Sequence, residues 1–511
     1  MRTLYFYFTM IAALLFMACG ETNDVEEMSE QKQPESSRIH FVAELGSKSV
    51  NINHAKPMDV GFDVDGEYGK EDCINGRRVI KTPDEGDNVL DAEWVEGEKI
   101  ALIYGGLVHE ATISKVTSTG SATVEADLTD SPADGQSVKI VYPFSAADAG
   151  TENGIKENYL KRGQDGTLNT ISSKYDVAVA DGNLVVNGAT GSLREIVKLE
   201  NLYAICRFRF TCVGNRLTGI NVLVIRDNGT NSTLYVVSGS EPDGSIYVAM
   251  DPEITGVKDF MVFTTEANYS GSAVPSLQAS MFYRPTLSLT QGNGGGAVDL
   301  GLSDGTIWAT CNVGASVPEE YGDYFAWGDP EPYYSSLDPM TWKEGKSDGY
   351  VWSSYRWCNG TEHSMTKYCN NSEYGLVDNK TVLEAADDAA TVNWGSMWKM
   401  PTTQQFRMLR FGVVTEWGTL NGVNGRFFYK KDASGNKVVD KYIFLPAAGQ
   451  YGDGDINELF LGGSKGNYWG CQLYDIYSAF GGEMTITSSS MLPSNMSRRM
   501  FGKSVRAVLA L

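Results

Sequence analysis

Histidine is scarce in this chain: His40, His54, His109 and His363 are the only four in 511 residues. They stand in unrelated contexts, which leaves a histidine-built metal centre or a Ser-His-Asp arrangement poorly supplied. Positive charge is also short. Against 64 acidic side chains there are 42 basic ones, a formal net charge of −22. Such a surface repels a phosphate backbone, so nucleic acid is excluded as an expected partner. There is no Cys-x-x-Cys pair, which argues against a structural zinc or redox motif. No phosphate loop and no paired catalytic carboxylates in a recognisable frame occur. The expectation is a protein without cofactor or metal, and not an enzyme.

What is present begins at the N-terminus. Arg2 is followed by an apolar stretch over residues 4–18, the pattern of a secretory signal and too short for a comfortable membrane span. It ends in Phe16-Met17-Ala18-Cys19-Gly20. A small residue before a cysteine followed by glycine resembles the lipobox of bacterial lipoproteins, although leucine is commoner where Phe16 stands. The resemblance implies cleavage before Cys19, acylation of that cysteine, and a lipid anchor in the outer membrane at the cell surface. Residues 19–38 are polar and acidic and cannot bury a core, so they read as a tether. Their acidic start resembles the surface-export signals of Bacteroidetes lipoproteins, and a plain linker is the equal alternative. Arg38, at the tether's end, is a candidate processing site for a trypsin-like protease.

Seven cysteines remain once Cys19 is set aside: Cys73, Cys206, Cys212, Cys311, Cys358, Cys369 and Cys471. Export permits disulfides, but an odd number leaves at least one thiol free. Cys358 and Cys369 enclose a polar loop and form the candidate disulfide. Cys206 and Cys212 sit in one β-like run. If that run is a single straight strand, six residues span about 20 Å, well beyond bridging distance.

The rest of the chain is rich in glycine (55), tyrosine (26) and tryptophan (10), which suits turn-rich β structure. Residues 39–188 read as a β-sandwich. Residues 99–104 are an apolar run ending at Gly105-Gly106, and 121–128 and 136–143 alternate with period two. Residues 189–290 read as a second sandwich. In its run 204–210, Cys206, Phe208 and Phe210 share one face and Arg207 and Arg209 the other, as in an antiparallel sheet with one wet side. Residues 220–225, 234–237 and 260–264 supply further strands. The segment Gln291-Gly292-Asn293-Gly294-Gly295-Gly296 reads as a flexible linker by composition.

Three stretches carry a resemblance over residues 39–289: Trp94-Val95-Glu96-Gly97-Glu98-Lys99-Ile100, Tyr142-Pro143, and Leu199-Glu200-Asn201-Leu202-Tyr203-Ala204. Together they resemble the fimbrillin-like lipoproteins of Bacteroidetes. The resemblance implies two tandem transthyretin-like β-sandwich domains and assembly with other fimbrial subunits by strand donation. Donation has a plain basis, since an added strand satisfies the unpaired backbone groups of an open groove.

Residues 297–511 differ in texture. In order they carry Asp299-Leu300-Gly301-Leu302-Ser303-Asp304-Gly305-Thr306-Ile307-Trp308-Ala309, Tyr324-Phe325-Ala326-Trp327-Gly328, Trp398-Lys399-Met400-Pro401-Thr402, Phe444-Leu445-Pro446-Ala447-Ala448-Gly449, Tyr468-Trp469-Gly470 and Ser504-Val505-Arg506-Ala507-Val508. This series resembles the Fibrobacter succinogenes major paralogous domain family, with Cys471 where serine is usual. The resemblance implies an α+β C-type-lectin-like fold. The overall expectation is therefore a mainly β chain: two transthyretin-like sandwiches followed by a lectin-like domain. Locally, residues 387–390 begin a short helix. A second helix follows Pro401, with Thr402 or Thr403 as its cap.

Four chemistries bear on this last part. Gly452-Asp453-Gly454-Asp455-Ile456-Asn457-Glu458 offers alternating oxygen ligands. It lacks the rest of an EF-hand loop, and no Glu-Pro-Asn or Gln-Pro-Asp tripeptide occurs, so it reads as a solvated acidic turn. Gly462-Gly463-Ser464-Lys465-Gly466 fits a nucleophile-elbow pattern, but every histidine precedes it, so it reads as a turn. The lectin-like fold also hosts oxidases that use a cysteine pair, and fold kinship does not transfer chemistry. The aromatic set of residues 327–357 is the remaining candidate. Its rings, Trp327, Trp342, Trp352 and Trp357 among them, can stack on sugars or anchor a protein. The function this implies is a cell-surface fimbrial or fimbrial-tip lipoprotein that adheres through its last domain to a glycan or to a host or bacterial surface protein. The alternatives are a non-fimbrial surface lipoprotein binding the same ligands, and an enzyme acting on surface polymers.

Overall fold

The computed structural model describes residues 39–45, 72–76, 79–80, 90–117, 121–149, 163–333, 348–452, 459–474 and 477–511, and side chains are described for these except in 72–93. Cys19, Arg38, His54, Trp342, Tyr334 and the acidic residues Asp453, Asp455 and Glu458 lie outside the described residues. The chain is mainly β, as its composition implies.

The apolar run and the two alternating stretches read from the sequence become real strands: Lys99–Tyr104, Ala122–Leu128 and Ser137–Tyr142. They belong to one sheet in the order Thr190–Leu193, Ile39–Leu45, Ala122–Leu128, Leu107–Val116, Lys99–Tyr104, Ser137–Tyr142, Ala178–Asn187, Glu200–Asn201. Thr190–Leu193 also pairs with Ala178–Asn187, so the sheet closes on itself rather than forming two separate layers. Ala178–Asn187 makes closure feasible. Its first half pairs with Ser137–Tyr142 and its second half with Thr190–Leu193. Gly191 lets that edge approach its neighbour, since a Cβ there would sit 2.9 Å from Ile39. The interior holds Phe41, Leu45, Ile100, Leu102, Val124 and Ile140.

The strand Ile39–Leu45 alternates buried and exposed along its whole length. It pairs antiparallel with Ala122–Leu128 through seven residues and parallel with Thr190–Leu193. The first sheet thus depends on a strand from the start of the described chain and on strands up to Asn201, so its β structure continues past residue 188.

The second unit is a two-layer sandwich. Ala204–Cys212 pairs with Ile246–Met250, Met281–Tyr283 and Thr286–Ser288. The strands Asp72–Gly76, Leu90–Glu93 and Val79–Ile80 extend this sheet through Met281–Tyr283, although they come from the sequence assigned to the first unit. The other layer is Thr233–Val237, Val222–Asp227, Lys258–Phe263, Asn268–Ala273, Thr290–Gln291. Cys206, Phe208, Phe210, Phe260 and Val262 meet between the layers. Arg207 and Arg209 stay half exposed, as the period-two reading requires.

In the third unit the first and last strands share one sheet: Ala297–Asp299 and Val508–Leu509 flank Ile307–Ala309, and Trp398–Lys399 pairs with Val508–Leu509. Two three-stranded sheets accompany them, Val414–Leu420 with Val423–Lys431 and Lys437–Pro446, and Lys465–Leu473 with Phe480–Thr487 and Met491–Arg498. The helix Ala389–Trp394 is capped by Asp388, whose side chain accepts from the Thr391 amide. The helix Thr403–Gly412 is capped by Thr402, and Gln405 completes a reciprocal capping box.

Residues 291–296 are not a flexible spacer. Thr290–Gln291 is a strand on the second unit's edge, and Gly295 and Gly296 are buried. A Cβ on Gly296 would lie 2.0 Å from the Thr264 carbonyl oxygen, and one on Gly295 would lie 2.5 Å from the Cys311 sulfur. Ala297 N donates to Thr264 O at 3.0 Å, and Asn268 Nδ2 reaches the carbonyls of Asn293, Gly294 and Gly295. The glycines are there for close backbone approach rather than for freedom. Val222, Val224, Met261 and Phe263, on the outer face of the second sandwich, join the core of the third unit. Phe263 meets Trp398 edge to face at 5.5 Å.

Candidate functional site

The aromatic set divides once the long loops of the third unit are in place. Trp327 is fully buried and is no surface ligand platform. Its indole Nε1 donates to Gly470 O at 2.8 Å, and Tyr368 meets it edge to face at 5.4 Å. Tyr333 and Tyr350 stack at 4.5 Å inside the core, and Tyr355 is buried beside them. These rings pack the domain's own loops.

What holds those loops is a set of buried cations near the C-terminus. Arg499 has no exposed surface. Its Nε donates to Tyr355 Oη at 2.8 Å, Nη1 to Tyr368 O and Ser478 O at 3.0 and 2.9 Å, and Nη2 to Lys367 O at 3.0 Å. Its carbon lies 4.8 Å from the Trp327 ring centre. Arg506, equally buried, donates to Asn312 Oδ1, Ala309 O and Phe444 O. Lys503 pairs with Glu483 in the interior. A buried charge is tolerated only with such partners. Here the planar guanidinium fork spans several loop carbonyls at once.

Two of the candidate tryptophans remain half exposed, Trp352 and Trp357. Trp357 is already engaged: Nε1 donates to Gly328 O at 2.6 Å, with Arg356 at 4.7 Å and Lys367 at 4.8 Å from the ring centre. Lys367 in turn binds Glu384 and Asp387, both at 2.5 Å. The hydrogen bond from Lys367, and then that from Lys380, hold the Glu384 carboxyl down at about 2. Burial, and then the hydrogen bond to Asp387, pushes the Tyr368 hydroxyl up to about 12. Trp352 packs on Tyr355 at 5.7 Å.

The expected Cys358–Cys369 bridge is not formed. Both are free thiols: Cys358 Sγ donates to Trp352 O at 3.0 Å and Cys369 Sγ to Asn371 O at 3.1 Å. Each sulfur is turned to a carbonyl of its own loop. Burial raises the Cys311 thiol to about 11 and Cys471 to about 12, which keeps both protonated and inert. Ser464 sits on a turn before the strand Lys465–Leu473, with its hydroxyl donating to Leu461 O. A nucleophile elbow has a helix there. Among the described residues no three His, Cys, Asp or Glu side chains gather into a metal-binding group.

One ring that the sequence reading passed over is Trp394, the last residue of the helix Ala389–Trp394. It is half exposed and lies 5.3 Å from Trp398. It lines a pocket of about 360 Å³ at the seam between the second and third units. A ring at a helix end followed by glycine was the available signal. Its placement depends on the second unit.

No known family model matches the chain, and no curated protein matches it. Similar solved structures include a putative cell adhesion protein from Bacteroides ovatus, 11% identical, covering 43% of this chain and 94% of that one, with a TM-score of 0.27. A fimbrial protein from Bacteroides ovatus is 8% identical over 87% of this chain and 100% of its own, with a TM-score of 0.26. A fimbrial assembly protein from Parabacteroides distasonis is 10% identical over 49% and 90%, with a TM-score of 0.24. Overlap this slight carries no conclusion about what this chain does.

Proposed function

We propose that the chain is a surface-exposed fimbrial or fimbrial-tip subunit, delivered as a lipoprotein through Cys19, whose C-terminal lectin-like domain makes the adhesive contact. The observation that supports assembly is the strand Ile39–Leu45. It immediately follows the tether, and Ile39, Phe41, Ala43 and Leu45 are all buried along one face. Removing it would bare the edges of Ala122–Leu128 and Thr190–Leu193 and an apolar groove between them. A strand from another subunit satisfies the same edges. Cleavage at Arg38 alone would free the lipid and leave this strand in place, so assembly requires displacement of the strand as well.

The same strand favours a second reading, a non-fimbrial surface protein, because the groove is already filled by the chain itself. Mixing the mature chain with purified fimbrial subunits separates the two. Strand exchange gives complexes that survive mild denaturant, and a loosened strand, Phe41→Ser, gives more of them. If neither protein forms such complexes, the assembly role is lost. Immunogold labelling of intact cells checks surface exposure.

A further inference from the structure

We infer that the seam between the second sandwich and the C-terminal unit is a binding subsite for one neutral sugar residue. The inference rests on the adhesive reading above and assigns it a place and a ligand chemistry. Alternate residues of Lys258–Phe263 and Asn268–Ala273 turn outward from the sandwich, and register puts Asp259 beside Ser272, Met261 beside Ser270 and Phe263 beside Asn268. Phe263 is covered by Trp398. Trp394 to Trp398 on one side and Met261, Ser270 and Ser272 on the other line a pocket of about 360 Å³. That volume falls in the range of small-ligand sites, roughly 300–1,000 Å³.

The lining has the chemistry that recognises a pyranose. Trp394 supplies an indole that lines the cavity; Gly294 packs against the ring, where a Cβ would come within 2.6 Å, and Trp398 meets it edge to face at 5.3 Å, so the ring is held in place and only its remaining surface is left for a ligand. Apolar C–H faces of sugars stack on such rings, and hydroxyls need acceptors and donors around the rim. Asp259 is a fixed acceptor. It takes Asn228 Nδ2 at 2.9 and 3.0 Å and Ser272 Oγ at 2.6 Å, and a carboxylate has about four acceptor positions, so one remains for a hydroxyl. Ser270 and the side chain of Asn293 are exposed at the rim. Among the lining residues there is no lysine, arginine or histidine. An anionic ligand would meet the Asp259 carboxylate with no cation in the lining; Arg226, opposite Asp259 in the sheet, is not a lining residue. A small cation would suit Asp259 and one indole, but the rim of serine and asparagine is built for hydroxyls.

The test titrates the full mature chain with methyl glycosides of glucose, galactose and mannose and with N-acetylglucosamine, with choline chloride in parallel, read by tryptophan fluorescence and ligand-observed NMR. Saturable binding of at least one glycoside, weakened at least tenfold by Trp394→Ala and also by Ser270→Val, supports the subsite. The rim variant leaves the aromatic packing intact, so loss in both does not reduce to misfolding. No saturable glycoside binding, binding indifferent to both variants, or binding of choline alone overturns it. Cell or filament adhesion retained by Trp394→Ala would overturn the subsite and leave the adhesive reading standing. Adhesion absent from the wild-type chain would end that reading, whatever the glycosides do.

Discussion

Replacing Arg499 by methionine tests whether buried cations, rather than a disulfide, hold the long loops of the C-terminal unit. Methionine keeps the aliphatic stem and approximate volume but removes every donor. Four oxygens lose their partner: Tyr355 Oη, Tyr368 O, Ser478 O and Lys367 O. A stranded buried acceptor costs about 1–3 kcal/mol, and the lost cation over Trp327 removes up to about 2 kcal/mol more. Part of this is offset, because the guanidinium no longer has to be desolvated, and Tyr355 Oη still donates to Trp327 O. A net loss of about 3 kcal/mol is expected. For a unit of this size, each kcal/mol lowers Tm by about 2–4 °C, so calorimetry should show a fall of roughly 6–12 °C. The near-ultraviolet circular dichroism of Trp327, Tyr355 and Tyr368 should weaken with it. Arg499→Lys keeps the charge but not the fork, and falls in between. A Tm within about 2 °C of wild type, with an unchanged aromatic spectrum, would refute the reasoning.

Gly296→Ala forces a methyl into the Thr264 carbonyl. It should destabilise the joint by about 1–3 kcal/mol, whereas a flexible linker would tolerate or welcome alanine; thermal unfolding decides. Asp227 is held at about 2, below its ordinary 3.8, first by the hydrogen bond from Lys258 at 2.7 Å. A depressed carboxyl contributes stability that is present above pH 3.8 and lost as pH falls toward 2. The Tm gap between wild type and Asp227→Asn should therefore be full from about pH 5 upward and close by about pH 2; a constant gap would contradict it. Alkylation after unfolding without reductant should label both Cys358 and Cys369, and a peptide retaining a bridge between them would reverse that assignment.

The joint between the second and third units changes how the chain is understood. Arg226 donates to the carbonyl of Ala510, next to the C-terminal residue, and Lys441 reaches Asn221 at 3.0 Å. With Phe263 against Trp398 and the buried glycines, the third unit is fixed to the second by polar and apolar contacts together.

Period-two alternation was enough to locate the strands around Val124, Ile140 and Phe208, because side-chain direction in a strand follows from local geometry alone, and a short apolar run ended by two glycines located the one around Ile100. The helix cap was legible to within one residue, Thr402 or Thr403, since its partners lie within three residues; the structure selects Thr402. Tertiary structure decided everything that depends on distant segments. Trp327 and Trp394 are equally aromatic in the sequence, but Arg499 and Gly470 enclose the first, while the second is left at the edge of another unit. Cys358 and Cys369 are close in sequence but each sulfur faces its own loop. Gly295 and Gly296 read as freedom by composition and serve as contact, because glycine's missing side chain permits both. What a residue near a seam does is set by the element that arrives opposite it, and for Trp394 that element is the strand carrying Asp259 and Met261, more than a hundred residues earlier in the chain.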